Sequence, residues 1–349
     1  MTPILPGTFT YGFDLLIGCS DSPHTVMKEL TELLWRKYGR EYFKDIRPQI
    51  LPFEVYGEQY TYAYELKRLA TPVTSAGETR YGLNNVWRRG ANFHAWENDL
   101  HPGFGIYHYG CKWQDDHLKN IGEGILALSL SAPENKGAFS CVYNFESSAW
   151  EGSLYWTCWP AYPFDGYDLQ AMGVSAWWML YWHDYYPELG RQDHIERKIT
   201  GFCRFLEQAQ LPSGAIPTYY DADLRPAPQL KESAPTAIGG AVLAKMALLT
   251  GDTNTRRAAI AAGDFLVREI LPRTQFFDFE VFYSCAPKAL HWLDPLTGIP
   301  PMNTLAIHWA ADHFLALYRL TNDDAWFSHG EYCLSLLSMF QQVWAPNRF

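Results

Sequence analysis

Three residues at equivalent places in the chain carry oxygen side chains that could do acid–base work. Asp168, Glu232 and Asn303 each stand 18 residues before a polar hinge, at Tyr186, Thr250 and Thr321. Two of those hinges are nearly the same words, Thr250-Gly251-Asp252 and Thr321-Asn322-Asp323. Asn98 and Asp99 open a fourth stretch of the same kind, and Asp165 lies one turn before Asp168. If these segments are helices whose starts share a rim, their carboxylates converge. Two carboxyl groups at one rim are what cleavage of a glycosidic bond needs. One protonates the leaving oxygen, and the other activates water or attacks carbon. Asp168, Glu232, Asp165 and Asp99 are therefore the expected catalytic acids. The competing account is plain capping, since Asp and Asn at helix starts accept from free backbone N–H groups whether or not they react.

The residues between these positions suit a sugar. Trp156 and Trp159 precede Asp168, Tyr220 precedes Glu232, and Tyr283 and His291 precede Asn303. Aromatics between Gly, Pro and acidic residues in loops offer flat faces to a ring. His308, five residues into the segment opened by Asn303, is expected to face its interior, and Asn98 and Asn303 to bind hydroxyls. Arg225 is the expected partner of a uronate carboxylate. Four readings follow: a glycoside hydrolase using paired carboxylates, a polysaccharide lyase using Tyr283, His291 and Arg225, a sugar epimerase or isomerase using paired histidines on inner helices, and a glycan-binding protein without catalysis. Trp177 and Trp178, mid-segment, read as core. No phosphate-binding loop, HExxH, GxSxG, EF-hand or dinucleotide fingerprint occurs, so neither metal nor cofactor is expected.

The elements that must position these groups are legible as helices of two kinds. Asp168–Tyr186, Glu232–Thr250 and Asn303–Thr321 are apolar nearly all round. Each is followed by a segment with one apolar stripe, at about 194–210, 255–271 and 325–343, and Asn98–Trp113 with Asp115–Leu130 makes a fourth pair. Gly137-Ala138-Phe139 and Gly214-Ala215-Ile216 repeat the same turn further along. Helices apolar on all sides want to be enclosed, and one-striped helices want to enclose them. An all-α (α/α) toroid of five or six hairpins satisfies both, as a single catalytic domain over 1–349 with a loop and short-strand excursion at 41–96. Pro23–Tyr38 reads as a further amphipathic helix, with Phe9–Gly18 as its inner partner.

With its Gly-Ala-aromatic turns and phrases such as AWENDL and MNTLAIHWAADHF, the stretch 98–349 resembles the six-hairpin glycosidase superfamily and related toroid enzymes. The resemblance implies a carbohydrate site in a cleft where the inner helices begin.

Composition bounds the partners. The formal net charge is −10 and no Lys/Arg block stands out, which leaves nothing to hold nucleic acid. No apolar run is long enough for a membrane span. The start has no basic and apolar leader, so a cytoplasmic protein is expected, although a trimmed export signal would look the same. Seven scattered cysteines without a CxxC read as free thiols. Aromatics at 16% exceed what a core of this size needs, and an oligosaccharide or polysaccharide is the expected partner.

Overall fold

The computed structural model describes residues 23–39, 70–75, 78–84, 90–94, 98–152, 166–228, 230–277, 293–296 and 302–340, with a few single positions besides. Among these are nine α-helices: α1 (Pro23–Leu34), α2 (Leu100–Trp113), α3 (Asp116–Leu130), α4 (Leu169–Tyr185), α5 (Gln192–Ala209), α6 (Thr236–Thr250), α7 (Thr253–Phe265), α8 (Thr304–Thr321) and α9 (Asp324–Ser338). The pairs α2–α3, α4–α5, α6–α7 and α8–α9 are hairpins, and neighbouring hairpins join through α2, α4, α6 and α8, which form the inner layer. α1 packs on α9. None of the described helices is long and apolar enough to cross a membrane.

Side-chain chemistry explains the two layers. Every residue of α6 from Thr236 to Ala244 is buried, and so is every residue of α4 from Leu169 to Ala176. A helix satisfies its own backbone hydrogen bonds, so such a segment is enclosed without orphaned polar groups. In α5, Ile195, Ile199, Phe202 and Leu206 are buried while Asp193, Arg197 and Arg204 face water, a single stripe at helical spacing.

The repeated hinges are alike bond for bond. Thr250 and Thr321 each donate a hydroxyl to the carbonyl four residues back, at 2.8 Å. Their oxygens accept from the N–H of Asp252 and Asp323 at 3.3 Å. Gly251 and Asn322 take the left-handed conformation that ends the helix. Asp252 and Asp323 then cap the outer helices.

The Gly-Ala turns have an equally direct cause. Gly137 and Gly214 have φ of +94° and +92°, and each lies against the backbone of an outer helix. A Cβ on Gly137 would stand 2.0 Å from the Gly201 carbonyl oxygen of α5, and one on Gly214 2.1 Å from that of Ala261 in α7.

Short antiparallel strands cover part of the molecule: β1 (Ala70–Ser75) with β2 (Glu78–Leu83), β3 (Gly90–Asn92) with β6 (Val142–Asn144) and β7 (Ala149–Glu151), and β4 (Glu134–Asn135) with β5 (Ala138–Phe139). β8 (Tyr167–Asp168) pairs with β9 (Tyr219–Tyr220), with Asp168 opposite Tyr219. Of the excursion expected at 41–96, residues 70–75, 78–83 and 90–92 are the strands β1, β2 and β3, and 41–69, apart from Val55, fall outside the described residues. Phe9–Gly18 falls outside the described residues, apart from single positions.

One inner helix begins later than expected. α6 starts at Thr236, four residues past Glu232. Pro235 disfavours helical backbone in Ala234, which favours a start at this point. In place of a capping carboxylate, the Thr236 hydroxyl accepts from the Ile216 N–H at 3.0 Å.

α6 and α8 approach closely at Gly240. A Cβ there would lie 2.2 Å from the His313 ring. His313 is fully buried, and its Nε2–H donates to the Ala259 carbonyl at 3.1 Å. Its Nδ1 has no partner, so protonation would bury a bare charge, and burial holds its pKa down at about 4.

Two outcomes follow. Gly214→Ala should cost more than about 2 kcal/mol in urea unfolding, whereas Gly190→Ala, at φ +64° in open space, should cost only about 1. His313 is neutral in both states above pH 6.5. Below it the unfolded chain binds a proton that the native state refuses, so stability falls until pH reaches about 4, by roughly 3 kcal/mol in all. His313→Gln should flatten that decline in denaturant midpoints measured between pH 7 and 4.

Candidate functional site

The rim residues are occupied with structure. Asp168 is extended and caps α4, accepting from the Gln170 N–H at 2.8 Å through Oδ1. Its Oδ2 lies 3.6 Å from Nε2 of His94, and both side chains are buried. Asn98 is tied twice, accepting from the Leu100 N–H and donating to Ser175 Oγ. Asp99 is buried, and its Oδ2 accepts from the Leu83 N–H of β2 at 2.9 Å. Asn303 caps α8, accepting from the Leu305 N–H at 2.7 Å. The capping account thus describes Asp168 and Asn303.

Glu232 is exposed and accepts from the Ser213 hydroxyl at 2.6 Å, so it does not open a helix beside Asp168. Arg225 is exposed, and its guanidinium pairs with Asp221 and Asp223. Tyr220 is 1% exposed and meets Phe205 edge-on, which leaves no face for a sugar. Asp165, Trp156, Trp159, Tyr283 and His291 lie outside the described residues.

The inner helices bring together a different group. Trp177 Nε1 of α4 donates to Asp312 Oδ2 of α8 at 2.7 Å. Lys245 Nζ of α6 lies 3.8 Å from the same oxygen and 4.3 Å from the centre of the Trp177 ring. His308, one turn before Asp312 on α8, sits edge-on to Trp309 at 4.6 Å, and Trp309 crosses Trp177 at 5.6 Å. On the other side of α4, His101 of α2 stacks on Trp178 at 4.4 Å. The two tryptophans expected in the core are half-buried and carry these contacts.

Both histidines have exposed surface, yet burial depresses the pKa of each. Protein packs against both rings while solvent reaches them, so each sits on an open face of an inner helix. For His308 the Lys245 ammonium adds to the depression and the Asp312 carboxylate partly offsets it. Burial also lowers Lys245, and Asp312 restores part of that. At neutral pH the wall therefore holds neutral imidazoles, one of them a turn from a carboxylate that would stabilise its charged form.

Sequence signals for this wall exist. Lys245 is the one charge in α6, and His308 and Asp312 are spaced i, i+4 in α8.

No protein-family profile matches the sequence, and no curated protein sequence matches it significantly. Among solved structures, the chain is similar to a cellobiose 2-epimerase from Bacillus thermoamylovorans, with a TM-score of 0.56, 10% identity and coverage of 91% of this chain and 75% of that one. It also matches a family 76 alpha-mannanase from Bacteroides thetaiotaomicron at TM-score 0.43 and 13% identity, covering 77% of this chain and 63% of that one. A family 76 glycoside hydrolase from a bovine strain of that species matches at TM-score 0.43 and 11% identity, covering 88% of this chain and 57% of that one. The chain thus spans less than two thirds of either hydrolase. The likeness in fold is that of an (α/α) toroid.

The charges around His308 give a signed expectation. In an NMR titration of its imidazole protons, Asp312→Asn should move the midpoint down, because a raising charge is lost. Lys245→Met should move it up, because a lowering charge is lost. Equal movement in both variants would mean that His308 senses neither.

Proposed function

We propose that the chain is a carbohydrate-active enzyme working in the bowl of the toroid, and that its reaction is proton transfer on a sugar, as in an epimerase or isomerase. The observation that carries this is the pair of neutral, solvent-reached histidines, His101 and His308, on the inner-helix wall. Moving a proton at the carbon beside a sugar carbonyl needs a base that is neutral at working pH and an acid to return the proton. His308 suits the base, with Asp312 placed to steady the imidazolium, and His101 suits the partner. The similarity in fold to a cellobiose 2-epimerase supports the same reading.

The hydrolase reading needs two carboxyl groups across one cleft. Asp168 is buried against His94 and Glu232 hydrogen-bonds Ser213, so that pair lends it no support.

A panel of neutral reducing mono- and disaccharides incubated in D2O tests the proposal. Deuterium should enter at the carbon beside the reducing carbon, with formation of the epimer or ketose. His308→Ala should cut the rate by on the order of 10²–10⁴. The acid limb of the rate profile should lie below pH 6.5, because the folded imidazole is depressed. Release of new reducing ends, abolished by Asp168→Asn and untouched by His308→Ala, would establish hydrolysis instead.

A further inference from the structure

Past Asp312, toward the C-terminal ends of α4, α6 and α8, the inner helices line a half-open space of about 300 Å³, at the lower end of ligand pockets. Lys245 and Asp312 line it at depth, each side chain about three-quarters out of water. Leu180 and Leu249 give it apolar wall, and Asp184 and Arg319 stand at its open side. His308 lies a turn N-terminal of Asp312 and does not line it. The Trp177–Asp312–Lys245 contact therefore stands between this cavity and His308.

The polar groups have capacity to spare. An ammonium has three donors, and Lys245 directs one toward Asp312. A carboxylate has about four acceptor sites, and the contacts from Trp177 and Lys245 both fall on Oδ2. A donor and an acceptor side by side match adjacent hydroxyl groups, each of which can accept from one and donate to the other. Two carboxylates and two cations line the cavity, so its charges cancel at neutral pH and an ionic ligand gains nothing net. The carbonyl ends of three helices face the same opening, which disfavours an anion further.

We propose that this cavity binds a neutral polyol the size of one sugar ring, at a site separate from the bowl. Lys245 and Asp312 grip two adjacent hydroxyls while Leu180 and Leu249 cover the apolar face of the ring.

Methyl NMR of the full-length chain with D-glucose, D-mannose and myo-inositol as probes tests this. The Leu180 and Leu315 methyls should titrate with at least one probe, at a midpoint in the millimolar range. Leu249→Trp narrows the opening at an exposed position, and it should raise that midpoint at least about tenfold. His308→Ala should leave it unchanged, which separates this site from the bowl whatever the bowl does. Methyls that stay still up to about 100 mM of every probe would overturn the proposal. So would an unchanged midpoint in Leu249→Trp, or a midpoint about tenfold lower for gluconate or glucosamine than for glucose.

Discussion

A carboxylate in the wall of a ring of apolar helices has to be compensated, and Asp312 is compensated by groups from two other helices. The Trp177 indole N–H and the Lys245 ammonium reach the same oxygen, and the ammonium also sits over the indole face. Losing these partners would leave a partly buried carboxylate uncompensated, so the register among α4, α6 and α8 that allows the contact is favoured over slipped alternatives. The polar wall and the apolar packing behind it therefore depend on each other. The packing places the three groups, and the three groups oppose sliding of the helices that pack.

The rim shows the opposite economy, with polar groups spent on local order. Asp168, Asn98 and Asn303 each satisfy a free N–H at a helix start, and Asp168 and Asn98 also reach a neighbouring element. Helix starts with oxygen side chains look alike whether they bind substrate or backbone.

The layers were legible in the sequence because burial on all sides and burial on one stripe leave different patterns. Asp168–Tyr186 against 194–210 is the clearest contrast, and it corresponds to α4 and α5 within two residues at each end. The hinges and the Gly-Ala turns were legible as repeated words, and the structure supplies the bonds and close approaches that make them repeat. The site was less legible. Glu232 looked like a helix opener by counting back from its hinge, while Pro235 favours a start of α6 past it. Trp177 and Trp178 read as core because α4 has no polar face, and both do pack against the core while keeping part of their surface in solvent. The contact among α4, α6 and α8 rests on charges within apolar helices, Lys245 and Asp312, which a count of carboxylates at helix starts passes over.

The close seam between α6 and α8 bears on how this sequence can drift. Gly240 leaves room for the His313 ring and for nothing more, and the ring reaches past it to a carbonyl of α7. Neither position readily takes a residue of different size alone: a side chain at 240 has nowhere to go while the imidazole stays, and a small residue at 313 opens a void beside a bare glycine. Descendants of this chain should therefore keep the pair or replace both members together, so that a glycine distant from the bowl becomes an indirect record of what sits on the neighbouring helix.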